Sequence, residues 1–74
     1  ALAIGRGSHC DLTLSDAKAS RSHAMIRYAD GHYSIEDTNS TNGTLVNGET
    51  IQTTILKDGD LIEIGGTIIT FRVE

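Results

Sequence analysis

Apolar and polar side chains alternate with a period of two along most of this chain. Leu2 and Ile4 share one face of a first run, and Leu12 and Leu14 share one face of a second. In a third, Ala24, Ile26 and Tyr28 stand against His23, Met25 and Arg27. The spacing returns in Tyr33 and Ile35 against Ser34 and Glu36, in Ile62 and Ile64 against Glu63, and in Ile69, Phe71 and Val73 against Thr70 and Arg72. Successive side chains of a strand point to opposite faces of a sheet, so each run predicts a half-buried strand. No segment sustains a helical period.

The breaks between the runs carry hairpin chemistry. Asp30-Gly31 and Asn47-Gly48 supply the two positive φ values of a type I′ turn, and Gly65-Gly66 and Asp58-Gly59 look similar. Short strands joined by tight turns, with no helix to cross over, predict an all-β fold, an antiparallel β-sandwich or barrel. Two connections are longer, Ser15 to Ser22 and Thr38 to Gly43, and both are rich in Ser, Thr, Asp and Asn. Polar loops on a rigid sandwich are where binding residues concentrate.

Composition narrows the function classes. With 74 residues the chain is read as a single domain over 1–74, near the size at which one core is just sufficient. Its apolar residues are mainly branched aliphatics, which suit a pleated surface. Cys10 is the only cysteine, so no disulfide closes within the chain and a reducing, cytoplasmic setting is expected. No run approaches a membrane span and no signal peptide is legible, so no membrane partner is expected. A net charge of −4 argues against a nucleic-acid partner, which requires a basic face. Three of the six basic residues, Arg6, Lys18 and Arg21, nevertheless fall in the first 21 positions, so a locally positive site on an acidic body is compatible with the whole. His9, Cys10 and Asp11 are adjacent rather than spaced as zinc ligands, and no metal or cofactor is expected.

Four pieces of sequence stand out: Gly5-Arg6, then Ser20-Arg21-Ser22-His23, then Asp37 followed by Ser40-Thr41-Asn42-Gly43-Thr44, and finally Val46-Asn47-Gly48. In this order and spacing the chain resembles the forkhead-associated (FHA) domain, over nearly its whole length. The resemblance implies an eleven-stranded β-sandwich whose loops at one end bind phosphothreonine in a partner protein. Arg6 would pair its planar, permanently charged fork with the phosphate. Ser20 would offer its hydroxyl and backbone N–H, Arg21 further charge, Thr41 a hydroxyl, and Asn42 an amide able to clamp the peptide main chain. Gly5, His23, Asp37, Gly43 and Thr44 would brace the loops. Lys18 and Asn47 are candidates for secondary peptide contacts, Lys18 with an acidic residue three positions after the phosphothreonine.

Two other readings stand beside this one. The chain can be a phosphate-independent assembly module in which the motif is a relic, or, as a distant third, a hydrolase built on Ser20, His23 and Asp37. Against the hydrolase, nothing supplies an oxyanion hole or a nucleophile elbow. Relative to the family pattern the chain begins only four residues before Gly5-Arg6, so the family's first strand is expected to be missing. The backbone of Leu2 to Ile4, or of a strand beside it, would then form an open edge prone to self-association, by direct pairing or by exchange of Ile68 to Val73.

Overall fold

The computed structural model describes residues 1–73, in which nine strands form. These are β1 (Leu2–Gly5), β2 (Leu12–Thr13), β3 (Ala24–Ala29), β4 (His32–Asp37), β5 (Thr44–Val46), β6 (Glu49–Ile51), β7 (Thr53–Leu56), β8 (Leu61–Ile64) and β9 (Thr67–Thr70). One sheet runs β2-β1-β3-β4-β7 and the other β6-β5-β8-β9. Among the described residues no helix is long and apolar enough to cross a membrane.

The alternation predicts the core well. Ile4, Ala24 and Ile35 from the first sheet meet Val46, Ile62 and Ile64 from the second, with Leu14, Ala19 and Leu56 closing the ends. Ile35, Ile62 and Ile64 are fully buried, while their strand neighbours Ser34, Glu36 and Glu63 are not. At one side the pattern weakens, because Tyr28 is 63% exposed although it shares a face with buried Ala24. Tyr28 packs against Tyr33 in a tilted arrangement with ring centroids 4.7 Å apart, and Tyr33 meets Phe71 edge-on at 5.3 Å. These rings border a groove of about 580 Å³, whose walls include Leu2, Leu12, Ile26 and Ile69.

Turn chemistry holds where both central residues were expected at positive φ. Asp30 and Gly31 sit at 55° and 78°, Asn47 and Gly48 at 52° and 84°. Asp58-Gly59 departs from that expectation, since only Gly59 is left-handed, at 90°, and of Gly65-Gly66 only Gly65 is, at 61°.

Three expectations are corrected. The strands number nine among the described residues, not the eleven that the resemblance implies. The sandwich is not wholly antiparallel, because β1 and β2 pair in parallel, Ile4 with Leu12 and Gly5 with Thr13. That pairing also moves the expected open edge: β2 covers Ile4 and Gly5 of β1, so the edge passes to β2, the strand beside it, while β3 flanks β1 on the other side. Two strands beside the groove have one neighbour each: β2, bonded to β1 alone, and β9, bonded to β8 alone. Strand β9 carries no charged residue, and Ile68 on it is 64% exposed.

Candidate functional site

Three connections meet at one end of the sandwich: the segment after β1, the loop from Ser15 to Ser22, and the loop from Thr38 to Gly43. Backbone bonds knit the first two together. Arg6 N–H donates to the Ser20 carbonyl at 2.9 Å and Gly7 N–H to the Arg21 carbonyl at 3.0 Å. The approach is close enough to require glycine, because a β-carbon on Gly5 would lie 2.9 Å from the Ser20 carbonyl oxygen and nearer still to that of Arg21.

His23 joins these segments to the third. It is fully buried at the base of β3, its N–H bonded to the Ile4 carbonyl and its own carbonyl accepting from Thr38 N–H. Ring Nδ1 accepts the Ser20 N–H at 2.9 Å, which fixes the neutral tautomer with its proton on Nε2, and Nε2 donates to the Gly43 carbonyl at 2.8 Å. One imidazole thus ties the two binding loops. Asp37, also buried, shapes the second loop. Its carboxylate accepts the Ser40 N–H at 2.8 Å, the Ser40 hydroxyl, and the Thr44 hydroxyl at 2.7 Å, and Ser40 Oγ in turn accepts the Gly43 N–H at 2.9 Å. Asn39 and Gly43 take the positive φ values, 68° and 87°, that let the loop turn.

On this frame the structure gathers Arg6, Ser20, Arg21, Thr41 and Asn42. The Arg6 Nε donates to the Ala19 carbonyl at 3.0 Å, orienting the guanidinium and leaving its two terminal nitrogens without an in-chain acceptor among the described residues. Ser20 Oγ accepts the Thr41 N–H at 3.0 Å, so its hydroxyl proton remains available to an anion. The Asn42 amide nitrogen donates to the Lys18 carbonyl at 2.8 Å, and its amide oxygen has no partner among the described residues. The side chains of Arg21, Lys18 and Thr41 are exposed and likewise make no hydrogen bond there. The nearby acids Asp16 and Asp37 both have their oxygens occupied by N–H and hydroxyl donors, which leaves Arg6, Lys18 and Arg21 as the charged groups of this end with free donors for an anion.

Two expectations about residue roles change. Ser20 N–H bonds His23, so in the free chain it is not open to a phosphate. Asn47 follows the opposite end of β5 from Gly43 and is committed there. Its amide donates to Asp60 and accepts from Leu61 N–H, both at 3.0 Å. Its place in the motif reflects a hairpin, not a contact at this end. The hydrolase arrangement is not assembled either, because both His23 nitrogens bond to backbone groups and Asp37 bonds to Ser40 and Thr44.

Several participants were not legible. Thr38 Oγ1 donates to the Ser22 carbonyl at 3.0 Å, and His9 Nε2 lies 2.8 Å from Ser22 Oγ. Buried Cys10 donates its S–H to the Arg21 carbonyl at 3.1 Å. Asp16 accepts Lys18 N–H two residues on, a local turn of the kind that aspartate favours and the one signal that marks it in the sequence.

The carboxylates give an acid limit. Burial raises the Asp37 pKa, but the bonds from Ser40 and Thr44 outweigh it and hold the group below 3.8. Asp16 is lowered by Lys18 N–H, Thr67 and Gly66 N–H, and Asp60 by Lys57 N–H and Asn47. A carboxyl whose folded pKa is depressed contributes stability that is fully present above its unfolded value and is lost as pH falls through the folded one. The urea midpoint should therefore hold from neutral pH down to about 5 and then fall steeply below about 4, with Asp37→Asn flattening the fall. An unchanged midpoint at pH 3 would contradict this assignment.

Comparison with known proteins agrees with this geometry. The FHA domain family model matches residues 2–65. The FHA domain-containing protein FhaA of Mycobacterium tuberculosis is 44% identical over 71 residues, covering 95% of this chain and 13% of that protein. The chain spans less than half the length of the curated relatives it matches. A structure from a study of phosphothreonine-dependent FHA domain interactions superposes with a TM-score of 0.95 at 40% identity, covering 99% of this chain and 76% of that one. Mycobacterium tuberculosis EmbR, solved with a low-affinity phosphopeptide, gives 0.91 at 39% identity over 95% of this chain and 19% of its own. A match across residues 2–65, on a sandwich whose loops gather Arg6, Ser20, Arg21, Thr41 and Asn42, means that the chain belongs to the FHA domain family.

Proposed function

We propose that this chain is a phosphothreonine-dependent protein-interaction module that grips a Thr-phosphorylated segment of a partner protein and performs no chemistry on it. The observation that carries the reading is the convergence of Arg6, Arg21, the Ser20 hydroxyl, Thr41 and Asn42 on one loop cluster, with the Arg6 fork already oriented. A phosphate carrying about −1.5 to −2 charge at neutral pH matches two guanidinium groups and two hydroxyl donors. Asn42 stands beside it to bond the peptide main chain, and Lys18 adds a weak preference for an acidic residue three positions downstream. EmbR, solved with a phosphopeptide, and the structure from the study of phosphothreonine-dependent FHA domain interactions support the reading. The lone free Cys10 supports a reducing, intracellular setting for the encounter.

Titration with an oriented phosphothreonine peptide library, its unphosphorylated copy and its phosphoserine copy tests the class. Binding is expected only with phosphate present, and more tightly for phosphothreonine, whose extra methyl is worth about 1 to 3 kcal/mol in an apolar niche. Equal binding of phosphorylated and plain peptides would overturn the reading. Equal binding of the two phosphopeptides would remove the methyl niche alone.

A second activity has an observation of its own. Strand β9 presents an uncharged edge beside an apolar groove, and unpaired backbone groups on such an edge template pairing with another copy. Sedimentation equilibrium is expected to show concentration-dependent self-association that Ile68→Lys abolishes. A clean monomer at every concentration would end this account of the edge.

A further inference from the structure

We propose that Asp16 is a positioning residue for the binding site, setting the Arg6 fork and the Asn42 amide by tethering the Ser15 to Ser22 loop to the β8–β9 turn of the opposite sheet. The inference rests on the phosphopeptide reading and adds a part that no motif residue supplies.

The geometry has two halves. Asp16 Oδ1 accepts the Lys18 N–H at 2.9 Å, closing a local turn. Asp16 Oδ2 reaches across to the second sheet and accepts the Gly66 N–H and the Thr67 hydroxyl, both at 2.8 Å, from residues 50 and 51 positions away. The turn is shaped to admit it. Gly65 is left-handed at φ 61°, and a β-carbon there would stand 2.9 Å from both Asp16 Oδ1 and the Lys18 β-carbon. Hydrogen bonds to an ionised carboxylate are about twice as strong as neutral ones, and they also hold the Asp16 pKa low.

What makes this tether matter to the site is the run of carbonyls just beyond it. The Lys18 carbonyl accepts from Asn42 Nδ2, the Ala19 carbonyl from Arg6 Nε, the Ser20 carbonyl from Arg6 N–H and the Arg21 carbonyl from Gly7 N–H. Of these four consecutive carbonyls, the first two hold the Asn42 and Arg6 side chains and the other two hold the backbone of the segment that carries Arg6. The His23 bond to Ser20 N–H fixes the far end of this run, and Asp16 fixes the near end. Without the near anchor the stretch around Lys18 loosens, with buried Ala19 and its N–H bond to the Asp16 carbonyl as the remaining hold, and Asn42 and Arg6 lie on less firmly fixed acceptors. Binding must then order the loop as well as the peptide.

The test compares wild type with Asp16→Ala, Asp16→Asn and Thr67→Val. It uses calorimetric affinity for a phosphothreonine peptide, urea stability, and backbone NMR order parameters for residues 16–21 and 42, free and bound. Asp16→Ala is expected to stay folded, bind about tenfold more weakly, and show low order in the free loop that peptide binding restores. Asp16→Asn keeps the Lys18 bond but turns an N–H₂ group toward Gly66 N–H, so it should resemble Asp16→Ala, and Thr67→Val should fall between. A merely structural role would lower stability and leave the free loop ordered. Affinity within twofold of wild type in folded Asp16→Ala, unchanged loop order, or full rescue by Asp16→Asn would each overturn the proposal. Should Asp16→Ala fail to fold, Thr67→Val alone decides by the same criteria. If the wild-type chain binds no phosphopeptide, the functional reading falls, and the order parameters of the free protein still decide whether Asp16 holds the loop.

Discussion

Replacing Arg6 with alanine is expected to remove about 2 to 5 kcal/mol of phosphopeptide affinity, a loss of roughly thirtyfold or more, while the fold persists. The asymmetry follows from where its bonds lie. Its backbone N–H to the Ser20 carbonyl survives the substitution. Of the side chain only the Nε bond to the Ala19 carbonyl is lost within the chain, at a cost of about 0.5 to 1.5 kcal/mol. The terminal nitrogens have no in-chain acceptor among the described residues, and in the proposed function they are the groups that meet the phosphate. Lysine is not expected to rescue, because it cannot hold the Ala19 carbonyl and present a two-pronged donor at once. Calorimetry on Arg6→Ala and Arg6→Lys reads both effects. Affinity within a few-fold of wild type would move the phosphate elsewhere on the surface.

The largest effect on stability is expected at His23. The side chain is fully buried and satisfies the Ser20 N–H and the Gly43 carbonyl together. His23→Ala strips a partner from both and opens a cavity, and a buried polar group left unsatisfied costs about 1 to 3 kcal/mol before any cavity contribution. The sum, roughly 3 to 5 kcal/mol, is comparable to the whole stability of many domains of this size. Urea unfolding should show a collapsed midpoint, and phosphopeptide binding should fail because both loops lose their common brace. An unfolding free energy lowered by under about 1 kcal/mol would mean that water or a neighbour replaces the ring.

The two effects also mark what the sequence makes legible. Alternation identifies β1, β3, β4 and β8 because each buries one face against the same core, so that Ile4, Ala24, Ile35, Ile62 and Ile64 announce themselves by spacing. It passes over β6 and β7, where Glu49, Thr50, Thr53 and Thr54 give no apolar rhythm and pairing with β5 and β4 makes the strand. It cannot show that β2 returns parallel to β1, since two paired residues leave no periodic trace. At the site, the motif spacing places Arg6, Ser20, Arg21, Thr41 and Asn42 together because their loops leave neighbouring strands at one end. The same spacing misleads for Asn47, because the short strand β5 carries the chain to the other end before the turn. Which N–H a side chain already holds, as His23 holds that of Ser20, is settled by packing and has no linear signature.

Cys10 gives this loop cluster a chemical clock. The residue is 8% exposed, and its S–H is bonded to the carbonyl of Arg21, one of the candidate binding residues. A thiol reagent reaches it only when that segment lifts, so the labelling rate under native conditions reports the local opening equilibrium of the loop rather than global unfolding. In the proposed function a ligand held by Arg6 and Arg21 closes the same door, which makes alkylation kinetics a readout of occupancy in a chain that has no tryptophan to report binding by fluorescence.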